Sequence, residues 1–142
     1  PWNPREQSAL IAKELDWKGD FVEGVPPEYS YEKIECFMQG LRDYIKFLKR
    51  GFGRTSHLTS IDIRNGELTR EKALELVKEY DGKRPKALDF FLDLMEIKEE
   101  EFYNIVSKHV VSPNKMPNTD LIGKNNKVPK DFDSFEKIFS HK

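Results

Sequence analysis

Apolar positions along this chain recur at helical spacing, and only residues 58–63 offer a strand-like alternation. Over residues 31–50, Ile34, Phe37, Met38, Leu41, Tyr44, Ile45 and Leu48 form one stripe at i, i+3, i+4, i+7 spacing. That stripe predicts the longest helix of the chain, capped by Ser30. The opposite side is not simply polar, because Cys36, Gly40 and Phe47 lie there near Asp43, so the helix is expected to pack on both sides. An earlier helix starts with Asn3 as N-cap, Pro4 in the first turn and Glu6 at capping-box spacing, and Leu10, Ile11 and Leu15 carry it to about Trp17. Two glycines and the Pro26-Pro27 pair make residues 18–29 a loop. Further on, Thr69 caps a helix with Glu71 in its first turn and Ala73, Leu74, Val77 and Tyr80 inward. Asp81-Gly82 breaks the chain and Pro85 opens a helix with Leu88, Phe91, Leu92 and Met95 inward. A last helix runs over residues 99–108, with Phe102, Ile105 and Val106 inward and Glu99, Glu100 and Glu101 in its first turn. Residues 112–129, rich in Pro, Asn, Lys and Gly, predict an irregular arm, followed by a short helix at 134–139. The pattern therefore predicts a mainly α protein: an irregular helical domain of about five to six helices over residues 1–112, and an irregular polar tail over 113–142.

Composition narrows the class. Charged residues make up 35% of the chain, yet aromatics reach 12%, with ten Phe, which suits a solvated helical globule rather than a disordered chain. A net charge of −1 exerts no global pull toward nucleic acid or a membrane surface. No apolar run approaches the ~20 residues of a membrane span. Cys36 is the single cysteine, so neither an internal disulfide nor a CxxC metal site is possible. A buried small residue is the favoured reading of Cys36 over a nucleophile. His109 and His141 lack metal-ligand spacing, so no metal is expected. A cytoplasmic location fits the cysteine usage and the absence of a signal-like leader. The chain opens at Pro1 without a methionine, which suggests a piece of a longer protein.

Candidate chemistry concentrates between Gly51 and Thr69, read as a polar loop. In Gly51-Phe52-Gly53-Arg54, glycine-freed backbone N–H groups and the Arg54 guanidinium suit a phosphate or carboxylate. A helix C-cap at Gly51, with no ligand, explains the same glycine. Thr55 and Ser56 add hydroxyls. His57 is either a general base or donor, or a surface hydrogen-bonding group. Asp62 and Arg64 either face a ligand or pair locally to fix the turn at Asn65-Gly66. Arg70 either joins them or is an exposed first-turn residue, and Arg84 either caps a helix end or is solvated. Lys46, Lys49 and Arg50 suit phosphate, and equally offset a helix C-terminal dipole.

The stretch PWNPREQ, the run from GVPPEYSYEK through GFGRTSH and DIRNG to TREKA, and FFLDLMEIKEEEFYNIV together resemble the C-terminal part of the N-acetyl sugar amidotransferases. These belong to the wider group of ATP pyrophosphatases and act in bacterial surface-polysaccharide biosynthesis. The resemblance covers about residues 1–112, and GFGRTSH and DIRNG followed by TREKA are its most specific pieces. It implies transfer of ammonia to an N-acetyl sugar or sugar nucleotide, giving an acetamidino group, with ATP and Mg as cofactors of the full-length enzyme and a glutaminase partner supplying ammonia. The SGGKDS-type loop that cradles ATP phosphates, and a cysteine-rich segment, are absent from this sequence. The resemblance therefore implies the helical C-terminal region alone, without the α/β nucleotide-binding domain, with no cofactor bound here and no activity by itself. In that reading Gly51, Gly53, Arg54, Thr55, Ser56, Arg64 and Arg70 contribute to substrate binding, with Arg54 as anion contact. His57 and Asp62 are the catalytic candidates, and the residues by themselves favour His57 as proton handler or donor, with Asp62 and Arg64 orienting the loop. Arg54→Ala is expected to abolish product formation and spare the fold. The competing reading is a non-catalytic helical interaction module.

Overall fold

The structure, a computed structural model, describes residues 3–32, 36–113 and 115. Among them the regular elements are α1 (Pro4–Leu15), a short 3-10 helix (Pro27–Tyr29), α2 (Gln39–Arg50), α3 (Arg54–Asn65), α4 (Arg70–Tyr80), α5 (Ala87–Met95) and α6 (Glu99–Ser107). The protein is mainly helical, as its periodicity predicts. The short helix expected at 134–139 and most of the arm before it lie outside the described residues.

Local signals account for several boundaries. Asn3 accepts the N–H groups of Arg5 and Glu6 to open α1, and Thr69 accepts that of Lys72 to open α4. Gly51 closes α2 in the left-handed conformation at φ 78°, its N–H donating to the Phe47 carbonyl.

Two expectations fail. The helix expected from residue 31 begins only at Gln39. Ser30 is not its cap: the Ser30 N–H closes the 3-10 helix on the Pro27 carbonyl, and its own carbonyl accepts from Asp20 at 2.9 Å. An N-cap carbonyl must accept the first intrahelical bond, and this one is taken by the preceding loop. The second failure is larger. Residues 54–65, read as a polar loop with a possible strand at 58–63, form α3. Its hydroxyls turn back on the helix, Thr59 Oγ1 donating to the Thr55 carbonyl at 2.8 Å and Ser60 Oγ to the Ser56 carbonyl at 2.5 Å.

The main core lies where α2 packs on α5 and α6. Leu41, Tyr44 and Leu48 meet Ala87, Leu88, Leu92, Phe102 and Val106. A second cluster joins Val22, Val25 and Tyr29 of the early loop to Leu58 of α3, which itself packs on α4. α2 is indeed covered on both sides, for Gly40 backs onto Glu23 and Pro85. α1 buries no residue, and Leu10, Ile11 and Leu15 stay exposed. Cys36 is exposed rather than buried, because the helix meant to carry it inward starts after it. Arg84 is neither a cap nor merely solvated. Its Nε and Nη2 grip Glu99 at 2.8 and 3.1 Å, and Asp89 pairs with it too. That pairing with Arg84 holds the Glu99 carboxyl below the usual carboxylate value.

Glu23 caps α5 from a distance. Its carboxylate accepts the N–H of Lys86 at 2.7 Å and of Ala87 at 3.3 Å, where Lys86 supplies no side-chain cap. A Cβ on Gly40 would come within 2.6 Å of Glu23 Oε2, so this approach needs a glycine. Burial pushes the Glu23 pKa up, against the lowering effect of its two N–H bonds. A carboxyl with a raised folded pKa contributes stability that is complete below its unfolded pKa and lost as pH rises through its folded one. Glu23→Gln, which stays neutral, is therefore expected to gain stability relative to the parent between about pH 4 and about pH 7, read from urea midpoints at both. A pH-independent difference would contradict this.

Candidate functional site

The residues grouped by sequence between Gly51 and Arg70 separate into distinct surroundings once α3 forms. The first lies at its N-terminus, where Gly53 provides no capping side chain. Asp81, at the C-terminal end of α4, reaches across instead. Its carboxylate accepts the Gly53 N–H at 2.8 Å, the Thr55 N–H at 3.0 Å and Ser56 Oγ at 2.6 Å. A Cβ on Gly53 would stand 2.5 Å from Asp81 Oδ1. The N–H groups expected to meet a phosphate are thus engaged by the protein's own carboxylate. Thr55, fully buried, donates its hydroxyl to the Gly24 carbonyl at 3.0 Å.

Asp62 lies in a different environment. It is 3% exposed, accepts from Tyr29 Oη at 2.6 Å and pairs with Arg5. Arg5 also reaches Glu67 at 3.3 Å, which ties α1 to the end of α3. The hydrogen bond from Arg5 to Asp62 raises the arginine pKa further, and burial together with the bond to Asp62 raises that of Tyr29. Among the described residues Asp62 does not pair with Arg64, and no bond joins it to His57. Arg64 and Arg70 are exposed.

Arg54 and His57 remain together, on the wall of an open cleft of about 460 Å³ between α2 and α3. Arg42, Asp43, Lys46 and Arg50 complete its lining. That volume falls in the ordinary range of small-molecule sites, about 300–1,000 Å³. Arg54 is held as a planar fork, its Nε 3.0 Å from Asp43 Oδ2 and its Nη2 3.1 Å from Asp43 Oδ1, with Nη1 3.3 Å from Glu32. Gln39 Nε2 donates to the same Asp43 at 2.8 Å. Arg54 thus forms a neutralised floor. Arg42, Arg50 and His57 are exposed, their side chains make no ion pair or hydrogen bond among the described residues, and Lys46 lies 4.5 Å over the Phe52 ring. Among the described residues no cluster of His, Cys, Asp and Glu is placed to hold a metal, and no helix is long and apolar enough to cross a membrane.

Residues 27–138 match the family described as LPS biosynthesis protein WbpG-like, C-terminal domain. The chain belongs to that family. No curated protein and no solved structure matches it. The WbpG-like match takes in both walls of the cleft, whereas α1 precedes it. Family membership gives the chain a place in LPS biosynthesis. Of the cleft residues of this WbpG-like domain, Arg54, His57, Lys46 and Arg50 stood out in the sequence and Arg42 did not. Its signal was present, since 42, 46 and 50 follow each other at i, i+4, i+8 on the polar side of α2.

Proposed function

We propose that this domain forms the substrate side of an ATP-dependent amidotransferase that turns the acetamido group of an N-acetyl sugar into an acetamidino group. The observation that carries this reading is the open cleft in which Arg54 and His57 meet Arg42, Lys46 and Arg50. A sugar bearing anionic groups finds cations there, and an exposed imidazole stands beside them to give or take a proton. The net reaction exchanges the amide oxygen for an ammonia nitrogen, with ATP as the activating reagent. ATP and Mg do not fit at the glycine turn, where Asp81 already occupies the Gly53 and Thr55 N–H groups. No step is assigned to them on this chain. In this reading they belong to a preceding nucleotide-binding domain, a glutaminase partner supplies ammonia, and the enzyme works in the cytoplasm.

Mass spectrometry of sugar products from the full-length enzyme, supplied with ATP and ammonia, tests the reading. The expected product has lost an oxygen and gained an NH at its acetamido group, with AMP and pyrophosphate released. His57→Ala, at an exposed position, is expected to keep the fold and lower turnover by about 10²-fold or more. Unmodified sugar with the parent enzyme across the N-acetyl sugars and sugar nucleotides supplied would overturn the reading. Undiminished turnover in the variant would remove His57 from it.

A further inference from the structure

The cations along α2 break a local rule. Arg42, Lys46 and Arg50 repeat like charge at i, i+4 and i+8, which destabilises a helix. The helix dipole excuses Arg50, in the last turn, but not Arg42 near the first, a turn that holds no acidic residue. No carboxylate among the described residues is bonded to any of these cations. Asp43, the acid in the cleft, is committed to Arg54 and Gln39. A ladder of cations with no bonded carboxylate among the described residues, on one wall of a cleft and kept at a cost to the helix, marks an anion site.

The spacing says which anion. Successive rungs rise about 6 Å along the helix axis, so one phosphate engages one rung and its neighbour only through flexible side chains. Two linked phosphates carry charge over the length needed to engage adjacent rungs together. Arginines at both ends favour oxyanions that accept paired N–H donors.

We propose that the cleft between α2 and α3 is a diphosphate-binding site, with Arg42, Lys46 and Arg50 as its contacts and Arg54, fixed by Asp43 and Glu32, as the floor that keeps the two helices at this separation. The proposal rests on the reading of this cleft as the substrate side and names the group by which substrate is held. A diphosphate-linked sugar reaches such a site from either of two carriers, a soluble nucleoside diphosphate or a lipid diphosphate at a membrane surface.

Calorimetric titration of the full 142-residue chain with inorganic pyrophosphate and with orthophosphate tests it. Pyrophosphate is expected to bind at least ten-fold more tightly than orthophosphate, and Arg42→Gln and Arg50→Gln each to weaken it ten-fold or more. Lys78→Gln, on exposed α4 surface away from the cleft, is expected to bind as the parent does. Both arginine side chains are exposed and unpaired among the described residues, so circular dichroism of the variants is expected to match the parent. Equal binding of the two phosphates, or pyrophosphate binding that survives the double Arg42→Gln, Arg50→Gln change, would overturn the proposal. Titration with a nucleoside diphosphate sugar, and co-sedimentation with phosphatidylcholine vesicles with and without a prenyl diphosphate, separate the carriers. Tighter binding in either arm supports the site and names its source. Pyrophosphate bound as expected but no acetamidino product from the full-length enzyme would leave the site standing and end the amidotransfer reading. The reverse pair of results would do the opposite.

Discussion

Arg54→Ala is expected to cost the fold about 3–5 kcal/mol, the usual effect of leaving one partner of a buried ion pair alone. Arg54 and Asp43 are each 9% exposed, and the guanidinium meets both carboxylate oxygens of Asp43. Without it, Asp43 keeps only the Gln39 amide, and Glu32 loses its cation. Against a total stability of about 5–15 kcal/mol for a typical domain, the loss is a large fraction. The expectation that this substitution spares the fold is therefore replaced: lost product in Arg54→Ala would report lost structure. Urea unfolding followed by circular dichroism measures the effect. Arg54→Lys, which keeps the charge but not the fork, is expected to fall between. The double change Asp43→Leu, Arg54→Met is expected to recover much of the loss, because the buried charge then disappears with its partner. A parental midpoint in Arg54→Ala would show that the pair contributes nothing and that Arg54 is free for a ligand.

Asp81→Ala is expected to cost about 2–3 kcal/mol, more than an ordinary capping residue, because one carboxylate serves several donors at once. The Gly53 and Thr55 N–H groups and the Ser56 hydroxyl would all lose their acceptor. Hydrogen exchange is expected to quicken at Thr55 and Ser56 before it does in α5 or α6, since the first turn of α3 frays locally. Asp81→Asn keeps one carbonyl acceptor and is expected to lose about half as much. Gly53→Ala is expected to imitate Asp81→Ala, because its Cβ would displace the carboxylate from 2.5 Å away. An unchanged urea midpoint in Asp81→Ala would show that water caps α3 equally well.

The candidate site was half legible. Glycine beside Arg54 and His57 pointed to one stretch of chain, and both side chains line one cleft. Asp62 was assigned to the same site because a loop can gather any of its residues. A helix cannot: Asp62 faces Tyr29 and Arg5, groups far away in sequence that carried no signal of meeting it. Thr55 and Ser56 looked like ligand-binding hydroxyls for the same reason, and are spent on Gly24 and Asp81.

The sequence by itself determined what depends on near neighbours. It set the helical class, the caps at Asn3 and Thr69, the glycine stop at Gly51 and the Leu41, Tyr44, Leu48 stripe, because periodicity and capping act within a turn or two of the chain. Tertiary structure decided whatever required a partner from elsewhere. α3 and α5 begin without local side-chain caps, and their orphan N–H groups are satisfied by Asp81 and Glu23. The serines and threonines that read as loop are helical in α3, whose first N–H groups find their acceptor in Asp81. The cleft, too, depends on α3 being a helix, which places Arg54 and His57 on the same opening as the α2 cations at 42, 46 and 50.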